Sequence, residues 1–106
     1  DLVRSVLPAK GRRISGVTKQ EVFVGGGART MEIDPMGRYA YVAVNNGVKV
    51  VAVDIQSMQK VAEVGLDPYP VGLAISKDGD YLAITSQGRR GSGGNAVNIV
   101  RIHKMD

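Results

Sequence analysis

The stretch MEIDPMGRYAYVAV, at Met31–Val44, returns in altered form as LAISKDGDYLAITS, at Leu73–Ser86. The two copies align without a gap, 42 positions apart, and share an isoleucine, a glycine and a tyrosine at matching places. In each copy a short apolar piece precedes a four-residue turn pattern, DPMG or SKDG. A run rich in β-branched and aromatic residues follows, which is typical of a strand. A period near 40 residues indicates a repeated supersecondary unit.

The residues after the first copy extend this unit. An Asn-Gly pair between apolar runs, in Asn45–Gly47, is a strong hairpin pattern and predicts a third strand. A polar turn at Gln56–Gln59 then leads to a fourth. The complete unit is therefore predicted to have antiparallel strands, from innermost to outermost, at Thr30–Ile33, Arg38–Val44, Val48–Ile55 and Lys60–Val64.

Incomplete units are predicted on both sides. The following unit has strands at Leu73–Ile75, Asp80–Ser86 and Ala96–His103. Upstream, Lys19–Gly25 ends in Val-Gly, as the fourth strand of the complete unit does, and is interpreted as a strand of the same kind. Earlier strands are predicted at Arg12–Thr18 and Asp1–Leu7. The chain is thus divided into a partial unit at residues 1–24, a complete unit at 28–66 and a partial unit at 70–106.

Four-stranded antiparallel units with this period are typical of β-propeller blades, so the predicted fold class is all-β. A chain of 106 residues holds about two and a half such units, whereas closed propellers have roughly four to eight. We therefore expect an incomplete propeller, completed by other chains or by the rest of a longer protein.

The segment from Lys19 to His103 resembles the YVTN-type β-propeller repeat. YVAVNN at Tyr41–Asn46 is similar to the namesake segment, and VAVDI at Val51–Ile55 is similar to the strand that follows it. VGLDPYPVGLAISKDGDYLAI, at Val64–Ile84, resembles the start of the next repeat. Such propellers include surface proteins, lyases, lactonase relatives, dehydrogenase subunits and nucleic-acid binders. The resemblance implies an extracellular, periplasmic or cell-surface location, and it leaves the function open.

Most catalytic and metal-binding templates have no match. With no Cys and one His, the usual zinc ligands are missing, and no metal, cofactor or catalytic residue is predicted. GRRGSGG, at Gly88–Gly94, lacks the Gly-Lys-Ser/Thr ending of a phosphate-binding loop. Asp78 and Asp80 are predicted to belong to a turn rather than to a calcium site. His103 is predicted to lie at a solvent-exposed strand end.

A basic rim is the one candidate site. The chain carries 14 Lys and Arg against 10 Asp and Glu, a net charge of +4. Because neighbouring strands alternate in direction, the connections between second and third strands and between fourth and first strands emerge at one end of the unit. We call this end the loop face. An anionic ligand is predicted to bind there, with the alternative that the Gly-rich loop is only a solvated insertion; the candidate residues are Arg12, Arg13, Arg29, Tyr69, Arg89 and Arg90.

These observations favour a non-enzymatic scaffold segment of a secreted or surface propeller, binding an anionic ligand or polymer. One alternative is the non-catalytic arc of a propeller enzyme such as a lyase, lactonase or dehydrogenase subunit. Another is nucleic-acid binding through the basic rim, which the shortage of aromatic residues for base stacking disfavours. The expected partners are other copies of the chain or the remaining blades, and no membrane insertion is expected.

Overall fold

The computed structural model of the protein describes residues 13–88 and 96–103. Within them the chain forms two antiparallel sheets and no helix. The first sheet has the order β1-β2-β3-β4 and the second the order β5-β6-β7. The strands are β1 (Ala28–Ile33), β2 (Tyr39–Val44), β3 (Lys49–Asp54), β4 (Gln59–Gly65), β5 (Pro70–Ile75), β6 (Tyr81–Ser86) and β7 (Ala96–Arg101).

The all-β class and the antiparallel pairing are confirmed. Each sheet is a meander of sequential strands, and β1 at the edge of the first sheet lies against β5 at the edge of the second. In the part of the chain that the structure describes, no helix is long and apolar enough to cross a membrane.

Corresponding turns in the two sheets share the same hydrogen bonds. Gly37 N donates to Asp34 O and Gly79 N donates to Ser76 O, each over 2.9 Å. Both glycines have left-handed backbones, with φ of 76° and 78°. This conformation is disfavoured for residues with a Cβ, so the final glycine of the DPMG and SKDG patterns has a physical reason.

The first sheet is covered on both faces. Side chains alternate along β2, so that Tyr41 packs with Leu82 and Ile84 of the second sheet. Its neighbour Val42 lies on the opposite face, in a cluster to which Val22 of the N-terminal segment also packs. Two covered faces explain why β2 and β3 are almost continuously apolar rather than alternating.

The predicted strands upstream of β1 are not formed in the described residues. Residues 13–25 include the Lys19–Gly25 prediction and most of Arg12–Thr18, and they contain no strand. The prediction was wrong because strand propensity requires a hydrogen-bonding neighbour, and this segment pairs with neither sheet. Its Val22 and Val24 nevertheless pack against the first sheet. Arg12 and the predicted strand at Asp1–Leu7 lie outside the described residues.

Candidate functional site

The loop face forms as the strand order predicts. In the first sheet, Asn45 N at the end of β2 donates to Gly27 O before β1, over 2.8 Å. In the second sheet, Gln87 N after β6 donates to Tyr69 O before β5, over 3.0 Å. The two bonds are 42 positions apart in sequence, and each joins the connection that enters a sheet to the turn that follows its second strand. In each sheet, therefore, a backbone hydrogen bond holds the entering connection and the turn after the second strand together on the loop face.

A polar cavity of about 270 Å³ opens on this face. It lies between the β2–β3 turn and the connection from β4 to β5. The two asparagine side chains offer both donors and acceptors, while proline and tyrosine supply flat apolar surface. The lining residues are Asn45, Asn46, Val48, Pro68 and Tyr69.

Tyr69 has an unusual backbone at the edge of this cavity. Its φ is 56°, in the left-handed region, and the residue is 42% exposed. The corresponding position of the first sheet holds Gly27, with φ of 77°. A tyrosine in this conformation costs roughly 1–2 kcal/mol relative to glycine. Val48, which lines the same cavity, is also left-handed, with φ of 50°. Strained residues of this kind cluster at ligand-binding sites, and of these two Tyr69 offers the aromatic ring for contact with a ligand.

The connection that carries Tyr69 is anchored to β7. Asn98 Oδ1 accepts from Asp67 N over 3.0 Å, and Asn98 Nδ2 donates to Asp67 Oδ2 over 2.8 Å. Ser86 Oγ donates to the Asp67 carbonyl over 3.1 Å. These three bonds hold Asp67 against two strands of the second sheet. The position of Tyr69, two residues later, is fixed by this anchor.

Neither of the two predicted basic residues that the structure describes, Arg13 and Arg29, lines the polar cavity. Arg29 is exposed at the β-bulge of β1, and it lines a different cavity, of about 370 Å³, beside Val22 and Val24. Arg13 is exposed in the N-terminal segment. The structure therefore does not place Arg29 and Tyr69 in one cavity. Three of the candidate residues lie outside the described residues, namely Arg12, Arg89 and Arg90.

Sequence reasoning missed the asparagines of the cavity. Asn45 and Asn46 were assigned to a hairpin turn, and that assignment is compatible with their place between β2 and β3. The available signal was the strand order, because it places this turn at the same end as Tyr69. Their side chains are polar groups on the same surface as the predicted rim.

The acidic turns at the opposite end have structural roles. Asp34 is buried and its Oδ1 accepts from Arg38 N over 2.7 Å. Asp78 Oδ1 accepts from Ser76 Oγ over 2.7 Å and from Asp80 N over 3.0 Å. Within residues 13–88 and 96–103, no group of three or more His, Cys, Asp or Glu side chains is placed to hold a metal ion.

Comparison with known proteins gives a limited likeness. No protein-family model matches the chain, and no curated protein matches it. Among solved structures, the chain is similar to one described as Kuenenia stuttgartiensis hydrazine synthase, with a TM-score of 0.61 and 28% sequence identity over 67% of this chain. The chain spans 19% of the length of that protein. The likeness therefore concerns a small part of a much longer polypeptide.

Proposed function

We propose that the chain is a run of YVTN-type β-propeller blades that acts as a non-enzymatic interaction scaffold. Two features support this architecture. The antiparallel sheets stack through a shared core with β1 beside β5, as consecutive blades do around a central axis. In addition, the bulge between Ala28 and Thr30 in β1 has a counterpart between Pro70 and Gly72 in β5, 42 positions later.

We place the ligand-binding surface at the loop face. The observation that carries this proposal is the left-handed Tyr69 beside a polar cavity, at a position where the first sheet has Gly27. The tyrosine ring and the asparagine amides contact the ligand. The net charge of +4 favours an anionic group or an acidic polymer, attracted by Arg29 and by the arginines of the Gly-rich loop. Arginine suits this role because its planar fork binds a carboxylate or phosphate at two points.

Retention of the full chain on immobilised heparin at low and high salt tests this proposal. We expect salt-sensitive retention that Tyr69→Gly weakens, since glycine relieves the backbone strain but removes the ring. Arg29→Ala and the Arg89→Ala/Arg90→Ala pair are also expected to weaken retention. Lys77→Ala is the matched control, because it removes one exposed positive charge from the turn at the opposite end. Equal retention of all variants, or no retention of the parent chain, refutes a loop-face site.

A second candidate is the non-catalytic arc of a propeller enzyme. The likeness to a chain described as hydrazine synthase favours it, because that protein is named as an enzyme and this chain matches only a small part of it. The sequence of the complete reading frame decides between the two. Further 42-residue units joined to a segment with catalytic residues would support the enzyme arc, and blades alone would support the scaffold.

A further inference from the structure

An apolar groove of about 420 Å³ runs beside the open edge of β7. In the first sheet β4 is the outermost strand, next to β3, whereas the second sheet ends at β7 within the described residues. The groove lies between the outer part of the first sheet and β7, where a fourth strand of the second sheet would pack. Its lining includes Tyr39, Val61, Val64, Val100, Ile102 and His103.

The segment Lys19–Gly25 has the sequence of a fourth strand but no sheet. It ends in Val24-Gly25 as β4 ends in Val64-Gly65. Its Val22 and Val24 pack on the outer face of the first sheet. Phe23 alternates to the other side and is 85% exposed, although it is the only phenylalanine in the sequence. A segment with one face packed and an unpaired backbone is suited to strand addition.

We propose that Lys19–Gly25 of a second copy of this chain adds to β7 as the fourth, antiparallel strand of the second sheet. The inference rests on the blade architecture of the proposed function and not on the loop-face site. The contact is heterologous, because one copy supplies the strand and the other supplies the edge. The pair keeps one unused Lys19–Gly25 segment and one open β7 edge, so assembly continues head to tail or closes into a ring.

The pairing of β4 gives the register. Val64 pairs with Val50 in the first sheet. Val97 is the β7 counterpart of Val50, because their partners Thr85 and Ala43 are 42 positions apart in sequence. Transferred to β7, this register sets Val24 of the second copy opposite Val97.

The faces agree with this register. Val97 and Ile99 lie on the outer face of the second sheet and are 58% and 64% exposed. Val22 and Val24 of the second copy would join them on that face. In their own chain, these two valines already contact the outer face of the first sheet. The exposed β7 residues therefore extend an existing interface, and the second copy's first sheet covers them.

Phe23 gains a burial site in the same arrangement. Because it alternates with Val22 and Val24, it turns toward the inner face of the second sheet. The same register sets Phe23 opposite Asn98, and Val100, the next residue of β7 on that face, borders the groove. The groove thus receives the aromatic ring that the isolated chain leaves in solvent.

Sedimentation velocity of the full chain over a range of concentrations tests the proposal. We expect concentration-dependent association that Phe23→Asp abolishes, because a carboxylate cannot enter the groove. Phe23 is exposed in its own chain, so this change leaves folding intact. Met36→Asp is the matched control, since Met36 is similarly exposed but lies in a turn away from both surfaces, and it is expected to associate like the parent.

Ile99→Pro blocks the open edge of β7, to which the strand of the second copy adds. Ile102 N donates to Asp80 O across the second sheet, so by alternation the N–H of Ile99 points away from β6 to the open edge. Proline therefore removes a donor that β6 does not use. Ile99→Lys serves the same purpose without changing the backbone, and circular dichroism verifies the fold of each variant.

Mixing the blocked variants gives the decisive result. The Phe23→Asp chain retains an open β7 edge, and the Ile99→Pro chain retains an intact Lys19–Gly25 segment. Each alone is therefore monomeric, and an equal mixture forms a dimer and nothing larger. A monomeric parent chain at every concentration, association by both variants alone, or no dimer in the mixture overturns the proposal. Heparin retention by the monomeric Phe23→Asp chain separates this result from failure of the loop-face site.

Discussion

Arg38 and Asp54 are joined by a two-point ion pair at the end of the first sheet opposite the loop face. Arg38 Nε lies 3.3 Å from both carboxylate oxygens, and Nη2 lies 3.1 Å from Oδ2. Asp54 is 8% exposed and its Oδ1 also accepts from Gln56 N over 2.9 Å. One carboxylate therefore fixes the entry to β2 and the turn between β3 and β4.

We predict that Asp54→Ala destabilises the fold several-fold more than Glu63→Ala. Loss of the Asp54 carboxylate leaves the turn N–H groups and the Arg38 guanidinium without their acceptor. Glu63 bonds Lys49 and Lys60 over 3.1 and 3.2 Å, but its ion pairs are exposed to solvent and contribute little. Urea unfolding midpoints of the two variants measure the difference. Equal midpoints would show that the Asp54 carboxylate contributes no more to stability than the Glu63 carboxylate does.

Acid is expected to destabilise the parent chain through the same carboxylate. The side-chain hydrogen bond from Arg38 lowers the pKa of Asp54 below its ordinary value of 3.8. The unfolded chain therefore takes up this proton before the folded chain does, so the stabilisation is complete above the ordinary pKa and is lost as the pH falls through the lowered one. Urea midpoints from neutral to acidic pH are expected to fall more steeply for the parent than for Asp54→Asn. Parallel curves would contradict this assignment.

Alkali is also expected to destabilise the parent chain, through Tyr41 and as the pH rises. Burial, followed by the nearby charge of Asp34, raises the pKa of Tyr41 from 10.0 to about 12. The unfolded tyrosine ionises first, so its contribution is intact below pH 10 and is lost as the pH rises toward 12. Tyr41→Phe is expected to flatten the fall in stability across this interval. Parallel stability curves for the parent chain and Tyr41→Phe at alkaline pH would contradict this assignment.

The strands were predictable because their determinants are local. The turn patterns, the Asn-Gly hairpin and the β-branched runs predict β2, β3 and β6 within two residues of their observed ends. Lys19–Gly25 has the same local features but forms no strand, because a partner strand is a property of the assembly rather than of the segment. Local sequence thus gives a segment its strand propensity, and pairing occurs only where the surrounding chain provides a neighbouring strand.

The candidate site was predictable only in outline. Strand order alone places the connections at one end, and the hydrogen bonds of Asn45 and Gln87 confirm that arrangement. The cavity depends on how two connections of different sheets pack together, which no local pattern encodes. Tyr69 was among the predicted site residues, but its left-handed backbone was not predicted, although its alignment with Gly27 was the available indication.

The shared core between the sheets is expected to dominate stability. Leu82 is almost fully buried against residues of the first sheet. Leu82→Ala removes this packing and leaves a cavity, which costs about 2–5 kcal/mol. Met36→Ala changes an exposed side chain and is expected to cost less than about 0.5 kcal/mol. Urea unfolding of both variants measures the costs, and a small effect of Leu82→Ala would mean that the two sheets do not depend on each other.

The anchor between Asn98 and Asp67 is expected to control the loop face. Asn98→Asp replaces the donor to Asp67 Oδ2 with a second carboxylate, so attraction becomes repulsion at neutral pH. Loss of a hydrogen bond to a charged group costs about 1.5–3 kcal/mol, and the released connection lets Tyr69 leave the edge of the cavity. We expect lower stability and weaker heparin retention than in the parent chain.

Acidification, which protonates a carboxylate and restores a donor, is expected to narrow the difference in stability between Asn98→Asp and the parent chain. Asn98→Ala separates loss of the hydrogen bond from charge repulsion, because it loses the bond without adding charge. Its difference in stability from the parent chain is not expected to narrow with acid in the same way. If Asn98→Asp and Asn98→Ala behave alike at every pH, charge repulsion has no part in the effect.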